Sequence, residues 1–330
     1  MPEQLSISAV IPAYNAEAFV AEAIESALNQ SRPPKEILVV DDCSTDQTVQ
    51  IASAFPVKVI CLSENSGHAV ARNLAIENVS NPLIAWLDAD DVWNRDHLEE
   101  VAGLLDADER VGVACSPVEM FGERSGIRDC IYTDRKSVNA FDACFSGTCI
   151  PAMSAVTRTA DVRMVGGFDA SYRTAPDFDF WLRLSTRTQF ASTPRVTARY
   201  RWHGGQISSA SAHSLISARQ YRAIYRARSE FLNHADACKL GVDVVAYWRK
   251  ANALLIRDAK IAALAGNRDL IHELQEIGQE FLPLDQKTKW FLKLLKWSPR
   301  SANRLAAEFR NLLRPNRKTC RNLESKLGAS

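Results

Sequence analysis

Ile84-Ala85-Trp86-Leu87-Asp88-Ala89-Asp90-Asp91 is an apolar run that ends in three carboxylates. A short apolar run ahead of a helix-like segment reads as a buried strand. In open α/β sheets, ligands bind at the carboxyl ends of strands. Carboxylates this close repel one another unless a positive charge lies between them. A hard divalent cation that also carries phosphate oxygens answers that need. The stretch therefore points to a phosphorylated, metal-chelated ligand.

Upstream of it, strand and helix patterns alternate. Ile7-Ser8-Ala9-Val10-Ile11 reads as a strand stopped by Pro12, with helical periodicity over 16–29. Ile37-Leu38-Val39-Val40 is a second strand ending in Asp41-Asp42, and 57–62 is a third. Asn65-Ser66-Gly67 is a turn before a helical stretch at 68–77. Downstream, a helix is expected to begin near Asn94 or Asp96, and residues 112–115 form a further strand. This alternation predicts βαβ units, a mostly parallel sheet, and acidic strand ends that can face one crevice. Between 121 and 150 the pattern weakens toward loops or short antiparallel strands. A helix is expected from Asp179, and helical segments dominate beyond His213.

The chain has 330 residues, 46% of them hydrophobic, and a net charge of +1, so a sizeable core is available and no strongly charged partner class is implied. No apolar run approaches the roughly 20 residues that span a bilayer, and no signal segment is read at the N-terminus. The eight cysteines form no C-x-x-C pair. Reduced thiols acting as small hydrophobes are expected, in a cytoplasmic protein that is soluble or peripheral.

Four pieces carry the chemistry: Val10-Ile11-Pro12-Ala13-Tyr14-Asn15, Val39-Val40-Asp41-Asp42-Cys43-Ser44-Thr45-Asp46, Asn65-Ser66-Gly67-His68-Ala69-Val70-Ala71-Arg72-Asn73, and Trp86-Leu87-Asp88-Ala89-Asp90-Asp91. In that order and spacing they resemble the family 2 glycosyltransferases of the GT-A fold. The resemblance continues through Val165-Gly166-Gly167-Phe168-Asp169, Asp177-Phe178-Asp179-Phe180-Trp181-Leu182-Arg183 and Tyr200-Arg201-Trp202-His203, covering roughly residues 5 to 210.

The resemblance implies an α/β fold with a GT-A, Rossmann-like, mostly parallel sheet flanked by helices. It implies a catalytic domain over 1–212 and leaves 213–330 as a helical extension. The activity implied is inverting, non-processive transfer of a sugar from a nucleoside-diphosphate sugar, UDP-linked by expectation, to a hydroxyl of a glycan or lipid-linked glycan. Mn2+ or Mg2+ is the implied cofactor, because the leaving diphosphate gains charge as the anomeric bond breaks. Asp90 matches the metal-ligating position, and Asp88 holds the ribose or the metal shell, with Ala89 between them. His203 is expected at the metal or the diphosphate. Asp91 is open between this cluster and a helix cap. Asp42 matches the acid that meets the base, and Asp41 is read as structural. Pro12, Ala13 and Tyr14 line the base site, with core packing as the other reading of Tyr14. Arg72 is expected near the nucleotide or as an ion-pair partner of the acids. Asp177 matches the general base. The chain departs from the family here, since Pro176 stands where a glutamate is usual. Thr45 and Asp46 are read as helix caps, and Asp179 as a helix N-terminal acid.

Lys289-Trp290-Phe291-Leu292-Lys293-Leu294-Leu295-Lys296-Trp297 opens a basic C-terminal segment. A peripheral contact with the inner face of the cell membrane is expected from it, against a packing helix with a solvated basic face. No nucleic-acid motif accompanies the charge. Two rivals remain. Asp88-Ala89-Asp90-Asp91-Val92 also resembles the nucleophile loop of haloacid-dehalogenase-like phosphatases, although that loop normally ends a first strand. An inactive glycosyltransferase-like scaffold is the other, supported by Pro176 alone.

Overall fold

The structure is a computed structural model that describes residues 4–130, 140–147, 150–172, 174–204, 218–233, 243–264 and 266–297. The chain divides into two compact units, Met1–Ser209 and Ala210–Ser330.

The first unit opens with β1 (Ile7–Ala13), α1 (Val20–Leu28), β2 (Glu36–Asp41), α2 (Thr48–Ala52), β3 (Lys58–Cys61), α3 (His68–Asn78) and β4 (Leu83–Trp86). It continues through β5 (Val92–Trp93), α4 (His97–Ala107), β6 (Val111–Cys115), β7 (Val118–Gly122), β8 (Gly126–Arg128) and α5 (Ala140–Ser146). The remaining elements are β9 (Ala155–Arg158), α6 (Thr159–Met164), α7 (Pro176–Leu184), β10 (Gln189–Ser192) and β11 (Ala198–Trp202).

Seven strands form the main sheet in the order β10-β6-β9-β4-β1-β2-β3. β1 pairs in parallel with β2 and β4, β2 with β3, and β6 with β10. Only β9 runs antiparallel, between β4 and β6. Every residue of β1 and β4 is buried, as expected of strands covered on both faces. α1 lays Val20, Ala23, Ile24 and Ala27 into this core, a spacing that forms one helical stripe. A smaller sheet has the order β5-β11-β7-β8.

Two expected boundaries move. β1 does not stop at Pro12 but runs through it, with Pro12 opposite Val40 and Ala13 opposite Asp41. The β4 ladder ends at Val10, so β1 is one-sided where the proline lies, a position at which a missing N–H is tolerated. α7 begins at Pro176 rather than Asp179, because the fixed φ of proline suits the first helical position. In the weakly patterned stretch, β7, β8 and α5 are found, while 131–139 and 148–149 lie outside the described residues.

The second unit contains the helices Ala218–Asn233, Val244–Leu264, Arg268–Phe281 and Gln286–Trp297. The last turns Phe291 and Leu292 inward and leaves Trp290 45% exposed. The basic tail beyond Trp297 lies outside the described residues. No helix among the described residues is long and apolar enough to cross a membrane. Cys115, Cys130 and Cys144 are buried and form no disulfide, and the Cys130 hydrogen bond together with burial raises the Cys115 thiol well above its usual range.

Candidate active site

β4 and β2 flank β1 and run parallel to it. Their carboxyl ends therefore share one edge, and the chain order reverses between β1 and β4. That reversal is the switch point at which open α/β sheets form a crevice. Pro12, Ala13, Tyr14, Asp41, Asp42, Asp88, Ala89 and Asp90 all stand at this edge. Tyr14 is 49% exposed, which rules out its core-packing reading.

Asp42 is buried, and its carboxylate oxygens accept the Ser66 N–H at 2.7 Å and the Gly67 N–H at 2.8 Å. Gly67 makes this turn at φ +93° and starts α3. Asp41 accepts the Ser44 N–H at 2.9 Å, while its other oxygen is buried without a hydrogen bond. Asp46 accepts the Thr48 N–H at 3.0 Å, as a capping side chain does, and also the Glu17 N–H at 3.0 Å. The Thr45 N–H reaches Asn15 Oδ1 instead, at 2.9 Å.

The three acids of the β4 loop have three different partners. Asp88 Oδ1 accepts from Arg72 Nη2 at 2.6 Å, with Arg72 buried on α3. Asp90 Oδ2 lies 3.1 Å from His203 Nε2. Asp91 is buried and accepts the backbone N–H of Arg201 at 2.8 Å. Asp91 therefore ties the loop to β11 and does not cap α4, whose first residue is His97. Burial and the neighbouring Asp88 raise the Asp90 carboxyl, against the His203 contact that lowers it. Burial, Asp90 and Asp88 raise Asp91 well above the usual carboxylate range.

Asp177 stands in the first turn of α7. Ala175, two residues before it, has φ +51°, a left-handed conformation that costs a non-glycine residue energy and clusters at functional sites. Beneath α7, Phe180 stacks on Phe168 with ring centroids 4.0 Å apart, and both meet Trp86 of β4 edge-on. These rings join the strand that carries the acidic loop to the helix that carries Asp177. Burial raises the Asp177 carboxyl, with Arg72 and Arg128 acting against it. Asp179 pairs with Arg183 at 2.6 Å, and Arg183 in turn donates to the Val165 and Gly167 carbonyls.

Arg72 thus forms an ion pair with Asp88 and is also in electrostatic reach of Asp177. Three residues not among the expected site residues also contribute. His68 opens α3 and is driven down to about 4 by burial and by Arg72. Arg128 of β8 faces Asp177 electrostatically. Arg201 lies on β11, and His203 follows one residue beyond its end.

Among the described residues, no three His, Cys, Asp or Glu side chains converge closely enough to hold a metal ion. The expected trio of Asp88, Asp90 and His203 is drawn together only in part, because Arg72 neutralises one oxygen of Asp88. Asp90 and His203 do converge, with Asp90 Oδ2 3.1 Å from His203 Nε2. Such a pair fits Mg2+ or Mn2+, which commonly bind through one or two carboxylates completed by water and substrate phosphates.

Residues 8–162 match the family model of Glycosyl transferase family 2. The putative teichuronic acid biosynthesis glycosyltransferase TuaG of Bacillus subtilis (strain 168) is 42% identical over 99 residues, covering 28% of this chain and 39% of that protein. The structure of S. aureus TarS 1-349 in complex with UDP superposes with a TM-score of 0.65 at 20% identity, over 95% of this chain and 93% of that one. The mannosyltransferase PcManGT of Pyrobaculum calidifontis in complex with GDP-Man and Mn2+ superposes with a TM-score of 0.52 at 16% identity, covering 94% and 88%. Over residues 8–162 the chain is similar to glycosyl transferase family 2, and its sheet has the GT-A fold of the solved glycosyltransferases.

Proposed function

We propose that the protein is an inverting, metal-assisted glycosyltransferase that moves a sugar from a UDP-sugar to a hydroxyl of a glycan or lipid-linked glycan. The observation that carries this reading is the pairing of Asp90 with His203 at a switch-point crevice, with Asp177 linked to the same crevice through Arg72. TuaG, by its name, serves teichuronic acid biosynthesis, and TarS was solved with UDP. These relatives favour a cell-envelope polymer as acceptor and uracil as base.

Asp90 and His203 would hold the Mn2+ or Mg2+, with the free oxygen of Asp88 facing the ribose or the metal shell. What that cation supplies when bound is positive charge against the charge developing on the leaving diphosphate. Asp42 meets the base N–H, since each carboxylate oxygen has a second lone pair beyond the one its turn uses. The exposed Tyr14 ring stacks on the base, and Pro12, Ala13 and Ala89 give it backbone walls. Arg72 holds Asp88 in place beside the nucleotide. Asp177 takes the proton of the acceptor hydroxyl as that oxygen attacks the anomeric carbon opposite the diphosphate. Its raised carboxyl is the stronger base for burial, and a medium that excludes water strengthens the effect.

Calorimetric titration of UDP, with and without Mn2+, tests the reading on wild type and Asp90→Asn. Mn2+-dependent UDP binding that is lost in Asp90→Asn is expected. A protein that binds no nucleotide supports the scaffold, and turnover confined to phosphate monoesters supports the phosphatase.

A peripheral membrane contact at the cytoplasmic face follows the exposed Trp290 and its neighbouring lysines. The inward turn of Phe291 and Leu292 leaves Trp290 as the apolar anchor. Co-sedimentation of the full chain with anionic vesicles should fall in Trp290→Ala; unchanged sedimentation removes this contact.

A further inference from the structure

Arg201 ties the acidic loop to β11 and to α1. Arg201 lies on β11, and its backbone N–H donates to Asp91 Oδ1 at 2.8 Å. Its Nε donates to the backbone carbonyl of Asp90 at 2.9 Å. The far end of the guanidinium pairs with Glu22 on the first turn of α1. The same guanidinium stands over two rings, 5.0 Å from the centroid of Phe19 and 4.4 Å from that of Phe121. Phe19 precedes α1, and its ring lies 4.6 Å from the imidazole of His203.

These contacts form a closed circuit. Arg201 fixes the Asp90 backbone directly, and it fixes Phe19, against which the His203 ring rests. Asp90 and His203 are the two groups that converge at 3.1 Å. Arg201 and His203 both meet the acidic loop, while Trp202 lies under the Arg124 guanidinium. A planar guanidinium suits the task, since its fixed fork serves a carbonyl on one edge and a carboxylate on another while its face covers an aromatic ring. The Arg201 side chain is 17% exposed and Glu22 is 51% exposed, so the clasp can be opened from its outer end without disturbing the core.

We propose that Arg201 is a positioning residue for the metal–diphosphate site, anchored by Glu22, which sets the approach of the Asp90 carboxylate to the His203 imidazole. The inference rests on the transferase reading, with Asp90 and His203 as the metal groups. Residues that orient ligating groups typically change metal affinity about 10–100-fold when replaced.

The test measures Mn2+ binding by electron paramagnetic resonance of free Mn2+, with the full chain saturated in UDP. Thermal unfolding of each variant runs in parallel. Arg201→Met keeps the apolar stem against Phe19 and Phe121 but removes the donors; Mn2+ affinity should fall about tenfold or more. Arg201→Lys should recover only part of the loss, because a point charge cannot serve Asp90 and Glu22 together. Glu22→Ala should weaken Mn2+ binding several-fold at an unchanged melting temperature, which a merely structural arginine does not predict. Folded Arg201 variants that bind Mn2+ like wild type overturn the proposal. If Arg201→Met does not fold, unchanged Mn2+ affinity in Glu22→Ala overturns it. Wild type that binds no Mn2+ with UDP overturns the transferase reading, and the proposal with it; wild type that binds while every variant matches it overturns the positioning role alone.

Discussion

Arg72 Nη2 lies 2.6 Å from Asp88 Oδ1, and the same guanidinium acts electrostatically on Asp177. One buried cation therefore acts on both Asp88 and Asp177. Removing it strands Asp88, whose side chain stays 30% exposed. Breaking a buried pair costs about 3–5 kcal/mol, and the partial exposure places this one at the low end, about 3 kcal/mol. Arg72→Met should therefore lower the melting temperature by roughly 10 °C. An unchanged melting temperature would mean that the pair contributes nothing to the fold.

Asp177→Asn tests the base without disturbing charge elsewhere. The amide keeps the shape of the side chain but cannot accept a proton, so transfer should fall about 10²–10⁴-fold while UDP binding holds. Loss of UDP binding instead would take Asp177 out of the base role.

The pH profile follows from the direction of the Asp177 shift. Its carboxyl is raised by burial, and Arg128 is one of the two cations that oppose the rise. A base works only when ionised, so activity should climb with pH through the Asp177 pKa. Arg128→Gln removes an opposing charge, raises that pKa further, and moves the acid limb of kcat/KM to higher pH. A limb that stays put or moves down contradicts this.

Asp91 gives a stability prediction of the opposite sign from a carboxylate held low by an ion pair. Its carboxyl is raised in the folded state, so the folded chain binds more protons than the unfolded chain and stability falls as pH rises. Below the unfolded carboxyl pKa, both states are protonated and there is no penalty. Asp91→Asn keeps an oxygen for the Arg201 N–H and cannot ionise. It should match wild type in acid and melt higher than wild type as the pH rises toward 8. A variant that melts lower at pH 8 would show that the ionised carboxylate stabilises the loop.

Gly167 has φ +69°, and a Cβ there would come within 2.6 Å of Asn73 Oδ1. Asn73 holds Phe168 at both its N–H, at 2.8 Å, and its carbonyl, at 2.7 Å. Gly167→Ala should cost about 2 kcal/mol, read as a lower melting temperature, and should loosen the Phe168 ring from Phe180. A melting temperature equal to wild type would refute the tight approach.

The sequence legibly marks the strand ends. Asp42 and the Asp88–Asp91 loop announce themselves because acids close apolar runs, and parallel pairing then brings those ends to one edge. What escapes is contact between distant segments. Asp91 meets the Arg201 N–H across 110 positions, so a local pattern reads it as a helix cap. Asp177 is legible by resemblance, but the helix expected from Asp179 begins three residues earlier, with Pro176 as its first residue. The antiparallel β9 has no signal of its own; it is four residues long and is defined by β4 and β6 on either side. Arg72 reads as a nucleotide ligand or as an ion-pair partner of the acids, and its contact with Asp88 across 16 positions comes from the fold and not from the local pattern.

The central claim is metal-assisted transfer from a nucleotide sugar, and release of the nucleoside diphosphate measures it most directly. The full chain is incubated with a panel of UDP- and GDP-sugars and a cell-envelope glycan extract, with Mn2+ or with chelator, and free diphosphate is quantified. Mn2+-dependent UDP release from one UDP-sugar is expected, abolished by chelator and by Asp177→Asn. Equal release with chelator, or release undiminished in Asp177→Asn, would contradict it.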